Sequence, residues 1–241
     1  MYTRITYTFP DGLEIYEYHS ARYGAPGEKR EKKSKPTPEQ VKAQNQRNRV
    51  RDIRHLIRMN FDEQDYWITL TYQRKARPPN IEAAKHEAEL FRKRLKRIYD
   101  KAGVPMRWIQ KTEIGKKGAV HHHMVLNRIP DLDQALAKKW KHGRVHFSLL
   151  YQDGGFEKLA EYIAKQEGAV YDYSRSRNLK KPKKKKQTMR RRTFEKEPKR
   201  KGYELEKGSM VEGISPMGWP FRSYRMNKIR GSTTKRRNTN V

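Results

Sequence analysis

Trp108-Ile109-Gln110-Lys111-Thr112-Glu113-Ile114-Gly115-Lys116-Lys117-Gly118-Ala119-Val120-His121-His122-His123-Met124-Val125-Leu126 decides how this chain is read. Met106 to Glu113 and Ala119 to Leu126 flank the turn residues Gly115-Lys116-Lys117-Gly118, so the stretch predicts a β-hairpin. Side chains alternate faces along a strand. His121 and His123 therefore share one face and His122 takes the other. Met124, Val125 and Leu126 carry the strand into a core and hold the imidazole pair rigidly, as a metal site needs. The plain alternative is a polar strand face with unliganded histidines. Glu113 faces His121 if the loop is the three residues Lys116-Lys117-Gly118, with glycine taking the positive φ. An even-numbered loop brings Gln110 and Thr112 to that face and turns Glu113 away. Both registers stay open at this level. Two imidazoles and a carboxylate leave open coordination positions, which suits a divalent metal such as Mn²⁺ or Mg²⁺, and also Zn²⁺.

Outward from the hairpin, Tyr66-Trp67-Ile68-Thr69-Leu70-Thr71-Tyr72 is β-branched and aromatic and predicts a strand. Glu82 to Tyr99 predicts an amphipathic helix with Leu90, Phe91, Leu95, Ile98 and Tyr99 inward. Asp131 to Trp140 reads as a short helix, Arg144 to Leu150 as a strand and Gly155 to Glu167 as a helix. Upstream, Tyr2 to Phe9 and Leu13 to Tyr18 alternate around Asp11-Gly12, a second hairpin. Residues 20–38 read as a flexible linker, and Pro38-Glu39 opens a helix to about Met59. The expected class is α+β, an antiparallel sheet covered by helices mainly on one face. The expected division is an N-terminal hairpin and linker (1–38), a main domain (39–173) and a basic, partly disordered extension (174–241).

The 241 residues carry 57 Lys and Arg against 27 Asp and Glu, a formal charge of +30, and only 34% are hydrophobic. A polyanionic partner is expected, nucleic acid being the commonest. Ser174 to Lys201 alone holds 15 Lys and Arg and two Glu. The residues Lys180, Lys181, Lys183, Lys184, Lys185, Lys186, Arg190, Arg191 and Arg192 are candidate DNA-backbone contacts. The lysine run is expected to be a mobile arm, although it also resembles a nuclear localisation signal. With no cysteine, disulfide scaffolds and thiolate zinc sites are excluded. No run of about 18 apolar residues exists, so no membrane span is expected. The expected location is the cytoplasm of a bacterial host, or the nucleus if the source is eukaryotic.

Phe156, Leu159, Ala160 and Ile163 form the apolar stripe of the last helix. At roughly 100° per residue, Tyr162 lies about 60° from Leu159, on the border between core and solvent. Lys165 and Gln166 follow at i+3 and i+4. A phenol with a pKa near 10 is a poor nucleophile at neutral pH, and a nearby cation or a metal-polarised phosphate supplies what it lacks.

Three blocks in order resemble the HUH endonuclease family, particularly single-tyrosine rolling-circle replication initiators of phages and plasmids. Trp67 to Tyr72 looks like its first motif. Glu113, Gly115 and Gly118 before His121-His122-His123-Met124-Val125 look like its metal motif, with His122 in the usually hydrophobic middle position. Tyr162-Ile163-Ala164-Lys165 looks like its Tyr-x-x-Lys motif, and Ser176 to Pro182 is a weaker match. The resemblance implies an RNA-recognition-motif-like palm. It implies that His121, His123 and Glu113 bind the metal, and that Tyr162 attacks single-stranded origin DNA to leave a 5′-phosphotyrosine and a free 3′-OH. Lys165 would assist the phenol or the metal, and a host helicase and polymerase would be partners. No Gly-x-x-x-x-Gly-Lys-Ser/Thr is present, so no fused P-loop helicase is expected. A single-tyrosine HUH transposase, whose metal-binding Gln lies four residues after Tyr, fits Tyr162 and Gln166 and is the near alternative. A non-enzymatic basic nucleic-acid-binding protein is the far one.

Overall fold

The computed structural model describes residues 1–19, 36–115, 118–150, 156–165, 173–215 and 218–229. In chain order the elements are β1 (Tyr2–Thr8), β2 (Gly12–Tyr18), α1 (Pro38–Asn60), β3 (Tyr66–Thr71), α2 (Ile81–Lys101), β4 (Trp108–Ile114), β5 (Val120–Leu126), α3 (Leu132–Lys139), β6 (Val145–Leu149), α4 (Glu157–Ala164), β7 (Ser174–Arg175), β8 (Lys183–Met189), β9 (Tyr203–Leu205), β10 (Val211–Ile214) and β11 (Pro220–Lys228). A one-turn 3₁₀ helix at Arg74–Ala76 follows β3. The chain forms two compact units, one from Met1–Lys35 with Pro182–Val241 and one from Pro36–Lys181.

In the unit from Pro36 to Lys181, β3, α2, β4, β5, α3 and β6 form a βαββαβ series, and the antiparallel sheet has the order β6-β3-β5-β4-β7. This is the split-βαβ arrangement, in which β5 separates the two strands joined by α2. Local chemistry starts each long helix. Thr37 and Gln40 form a reciprocal capping box around Pro38, and Asn80 accepts the amide of Ala83 at 2.8 Å. On α2, Ala84, Ala88, Phe91, Leu95 and Tyr99 recur at helical spacing and are all buried. They pack with α3 on the face that carries Tyr66, Ile68, Leu70, Met124 and Leu126.

The opposite face carries Trp67, Ile109 and Val125, and it is covered too. Ile53, Leu56 and Ile57 of α1 and Ala160, Ile163 and Ala164 of α4 pack there. The expectation of a sheet covered mainly on one face is therefore corrected. Only the second half of α1 is apolar enough to bury, and that half supplies the second layer.

His122 shows what the α2 face demands. It is completely buried, and both ring nitrogens are bonded: Nδ1 to Thr112 Oγ1 at 2.8 Å and Nε2 to the Tyr72 hydroxyl at 2.9 Å. Burial, with the Arg92 guanidinium as the second cause, pushes it down to about 3. The unfolded imidazole titrates near 6.5, so as pH falls the unfolded chain takes up this proton first. The contribution of His122 is complete above about pH 6.5 and is lost as pH falls from there to about 3, with a slope approaching about 1.4 kcal/mol per pH unit. Urea midpoints followed from about pH 7.5 down to about pH 4.5 should fall less steeply in His122→Gln than in the wild type.

The other unit is a six-stranded antiparallel sheet, in which β10, β11, β2, β1 and β8 follow one another and β9 also pairs with β11. Leu13, Ile15, Tyr224 and Met226 form its core. Glu17 is fully buried and carries two arginines, Arg4 and Arg222, each at 2.5 Å. Gly12 sits where β2 meets β11 so closely that a Cβ would lie 2.1 Å from the Met226 carbonyl oxygen. Two expectations change here. The lysine run is no mobile arm, because Lys183 to Met189 pair residue by residue with Thr8 to Tyr2. A lysine run cannot bury side chains, but its backbone can still complete a sheet edge while Lys183, Lys184, Lys185 and Lys186 point into solvent. For the same reason the C-terminal segment and the N-terminal hairpin form one unit and not two separate appendages, and the boundaries fall at 35/36 and 181/182.

Candidate metal and nucleophile site

The β4–β5 register resolves the choice left open by the sequence. Glu113 pairs with His121 and Ile114 with Val120, and Gly118 takes φ +72° in the closing turn. Glu113, His121 and His123 therefore share the α1/α4 face. Gln110 and Thr112 lie on the other face with His122, where Gln110 bonds to Thr112 and Arg92. The donor atoms of Glu113, His121 and His123 all lie within 4.8 Å of one another.

Each imidazole has one nitrogen engaged and the other turned to the carboxylate. His121 Nδ1 donates to the Ala119 carbonyl at 3.3 Å, and Nε2 lies 2.9 Å from Glu113 Oε1. His123 Nδ1 is 3.0 Å from Thr69 Oγ1, and its ring stacks on Trp67 at 5.2 Å and 7°. His123 Nε2 is buried, 3.3 Å from Glu113 Oε1, and has no hydrogen-bond partner. A neutral histidine that donates from Nδ1 keeps its lone pair on Nε2, the arrangement seen in metal-ligating histidines. The orphaned His123 Nε2 and the two-nitrogen, one-oxygen donor set fit a divalent cation. Burial pushes His123 down to about 4 against the raising charge of Glu113, so this ring is neutral and available at working pH.

Tyr162 stands half-buried on α4, and its hydroxyl donates to Glu113 Oε1 at 2.5 Å. Its ring meets Trp67 edge-on at 5.8 Å and His123 at 5.1 Å. Burial alone would push the Glu113 carboxyl up. Hydrogen bonds from Tyr162 and Lys111 and the His123 charge outweigh it and hold the group at about 2. Glu113 is thus an anion at any working pH, a cation ligand and no proton donor.

Lys111 is a site residue that reading the sequence misses. Its Nζ lies 3.2 Å from Glu113 Oε2, 2.9 Å from the Tyr162 carbonyl oxygen and 4.7 Å from the centre of the Tyr162 ring. The alternation that puts Glu113 on the histidine face puts Lys111 there as well, so the signal existed once the register was known. The lysine expected beside the phenol, Lys165, is placed differently. The described helix ends at Ala164, and Lys165 continues in extended backbone, exposed, beside Lys42, Arg49 and Tyr173 in a surface groove along α1. Gln166 lies outside the described residues. Lys180, Lys181, Arg190, Arg191 and Arg192 are exposed, as are the four lysines of β8.

Comparison with known proteins places a boundary around these residues. Residues 65–167 match the family model of the Replication-associated protein ORF2. The matched stretch starts just before β3 and runs past α4, so it takes in the βαββαβ series, the Glu113–His121–His123 group and Tyr162. It supports a replication-initiator family for this part of the chain. Helix α1 and the unit containing β8 lie outside the matched stretch. No curated protein and no solved structure matches the chain.

Proposed function

We propose that this chain is a rolling-circle replication initiator of the HUH single-tyrosine type, which nicks and rejoins single-stranded origin DNA. The observation that carries the reading is the convergence of Glu113, His121, His123 and the Tyr162 hydroxyl on one sheet face, inside the stretch that matches a replication-associated family. Glu113, His121 and His123 would hold Mn²⁺ or Mg²⁺, which when bound supplies polarisation of the scissile phosphate. Tyr162 Oη attacks phosphorus and the bond from phosphorus to the 3′ oxygen breaks. The proton lost by the phenol is balanced by the one gained at that 3′ oxygen, which leaves as a 3′-OH. A phosphoester is exchanged for a phosphoester, so the reverse step rejoins strands without ATP. Trp67 and the α4 packing fix the phenol's approach. Lys165 and Gln166, placed by motif, are proposed as contacts to the strand or supports of the site, and the free 3′-OH would pass to a host polymerase working with a helicase.

The test is a pool of single-stranded oligonucleotides of randomised sequence, labelled at the 5′ end or the 3′ end and incubated with the protein and Mn²⁺. The expected result is a denaturation-resistant adduct that carries only the 3′ label, released 5′-labelled product, and loss of both with EDTA. Cleavage without an adduct, or cleavage indifferent to EDTA, contradicts the proposal.

The basic residues of β8 would bind the DNA backbone. Replacing Lys183 to Lys186 by Gln should weaken binding to all sequences alike and flatten the plot of log affinity against log salt by about one to four, since each lost phosphate contact removes about 0.9. Filter binding across a salt series reads this directly. A change confined to one sequence contradicts a backbone role.

A further inference from the structure

We propose that Lys111 is the positioning residue for the Tyr162 nucleophile, a role the Tyr-x-x-Lys motif would give to Lys165. The inference rests on the nicking reading above and deepens it. An ammonium group is expensive to bury and persists only where partners compensate. The Lys111 side chain is 7% exposed, and its partners are both parts of the site: the Tyr162 carbonyl and the Glu113 carboxylate.

The Tyr162 carbonyl belongs to the last turn of α4, where carbonyl oxygens lack intrahelical donors and a cation is favourable. Lys111 therefore ties the turn that bears the phenol to β4, two residues from Glu113. The same ammonium takes Glu113 Oε2, which leaves Oε1 as the atom that meets His121, His123 and the phenolic hydroxyl. One side chain sets both the nucleophile's helix and the carboxylate's orientation. Lys165, one residue beyond the helix and exposed in the groove along α1, makes neither of the bonds that Lys111 makes.

The test is single-turnover adduct formation at saturating Mn²⁺ and oligonucleotide for the wild type, Lys111→Met, Lys111→Arg and Lys165→Met, with thermal unfolding recorded for each. Methionine keeps the stem and replaces a buried cation, so folding should survive. Misplacement of a nucleophile by about 1 Å costs about 10²-fold. Lys111→Met should lower the rate constant by about that factor at undiminished amplitude, with Mn²⁺ binding no weaker, because a neighbouring positive charge is gone. Lys111→Arg should recover at least about tenfold of the loss, since a guanidinium keeps donors for both oxygens. Lys165→Met should lose less than Lys111→Met. A wild-type rate in Lys111→Met, a larger loss in Lys165→Met, or a loss of amplitude without rescue by Arg would each overturn the role of Lys111 while adduct formation by the wild type upholds the nicking reading. A wild type that forms no adduct overturns both.

Discussion

Tyr162→Phe should form no covalent DNA adduct and should nick single-stranded DNA at least about 10³-fold more slowly than the wild type, because the attacking atom is removed and no other hydroxyl replaces it. The ring stays, and with it the edge contacts to Trp67 and His123. What is lost besides the nucleophile is one hydrogen bond to a carboxylate, about 1.5–3 kcal/mol for a charged acceptor and less where other donors remain. Lys111 and His121 do remain on Glu113. The Glu113 pKa should rise, since the Tyr162 bond heads the influences that lower it, yet the group stays ionised at neutral pH. Thermal unfolding and Mn²⁺ titration should therefore change little while a denaturing gel shows no adduct. Parallel loss of fold and metal binding would mean that Tyr162 is a packing residue.

The histidines should separate into two kinds. His121→Ala and His123→Ala each remove one of three ligands, and Mn²⁺ affinity should fall by at least about 10²-fold with nicking lost alongside it. His122→Ala is different in kind. On sequence it is the milder change, because it projects from the opposite face. The structure makes it the most costly for the fold, since it empties a fully buried site and leaves Thr112 and Tyr72 without their partner. Destabilisation of about 2–4 kcal/mol is expected, with Mn²⁺ affinity per folded molecule retained. Calorimetric Mn²⁺ titration beside urea unfolding distinguishes the two. A similar loss of metal affinity at all three positions would mean that the triplet supports only the fold.

Much of this site could be read from residue order because strand alternation is a rigid rule. His121 and His123 had to share a face, and Gly118 suited the odd loop that brings Glu113 opposite His121. The border position of Tyr162 followed from helical spacing in the same way. Other features depend on tertiary placement, on which periodicity is silent. Lys111 looked like any strand lysine until the register put it beside Tyr162. Lys165 looked like a neighbour of the phenol only while the helix was assumed to run through it. Composition also misled at Lys183 to Lys186, since charge density forbids burying the side chains and says nothing about pairing their backbone with β1. The second helical layer was hidden because the first half of α1 is polar and exposed and only Ile53, Leu56 and Ile57 reveal what it covers.

The central claim is that Tyr162 becomes covalently joined to DNA with the help of a cation held by Glu113, His121 and His123. Its most direct measurement is mass-spectrometric mapping of the adduct trapped with Mn²⁺ and a single-stranded oligonucleotide, after digestion by protease and nuclease. The account predicts a nucleotide joined through its 5′-phosphate to the Tyr162 side chain, and no such peptide from His123→Ala. A nucleotide on any other residue, or an adduct that forms equally well without the His123 imidazole, would contradict it.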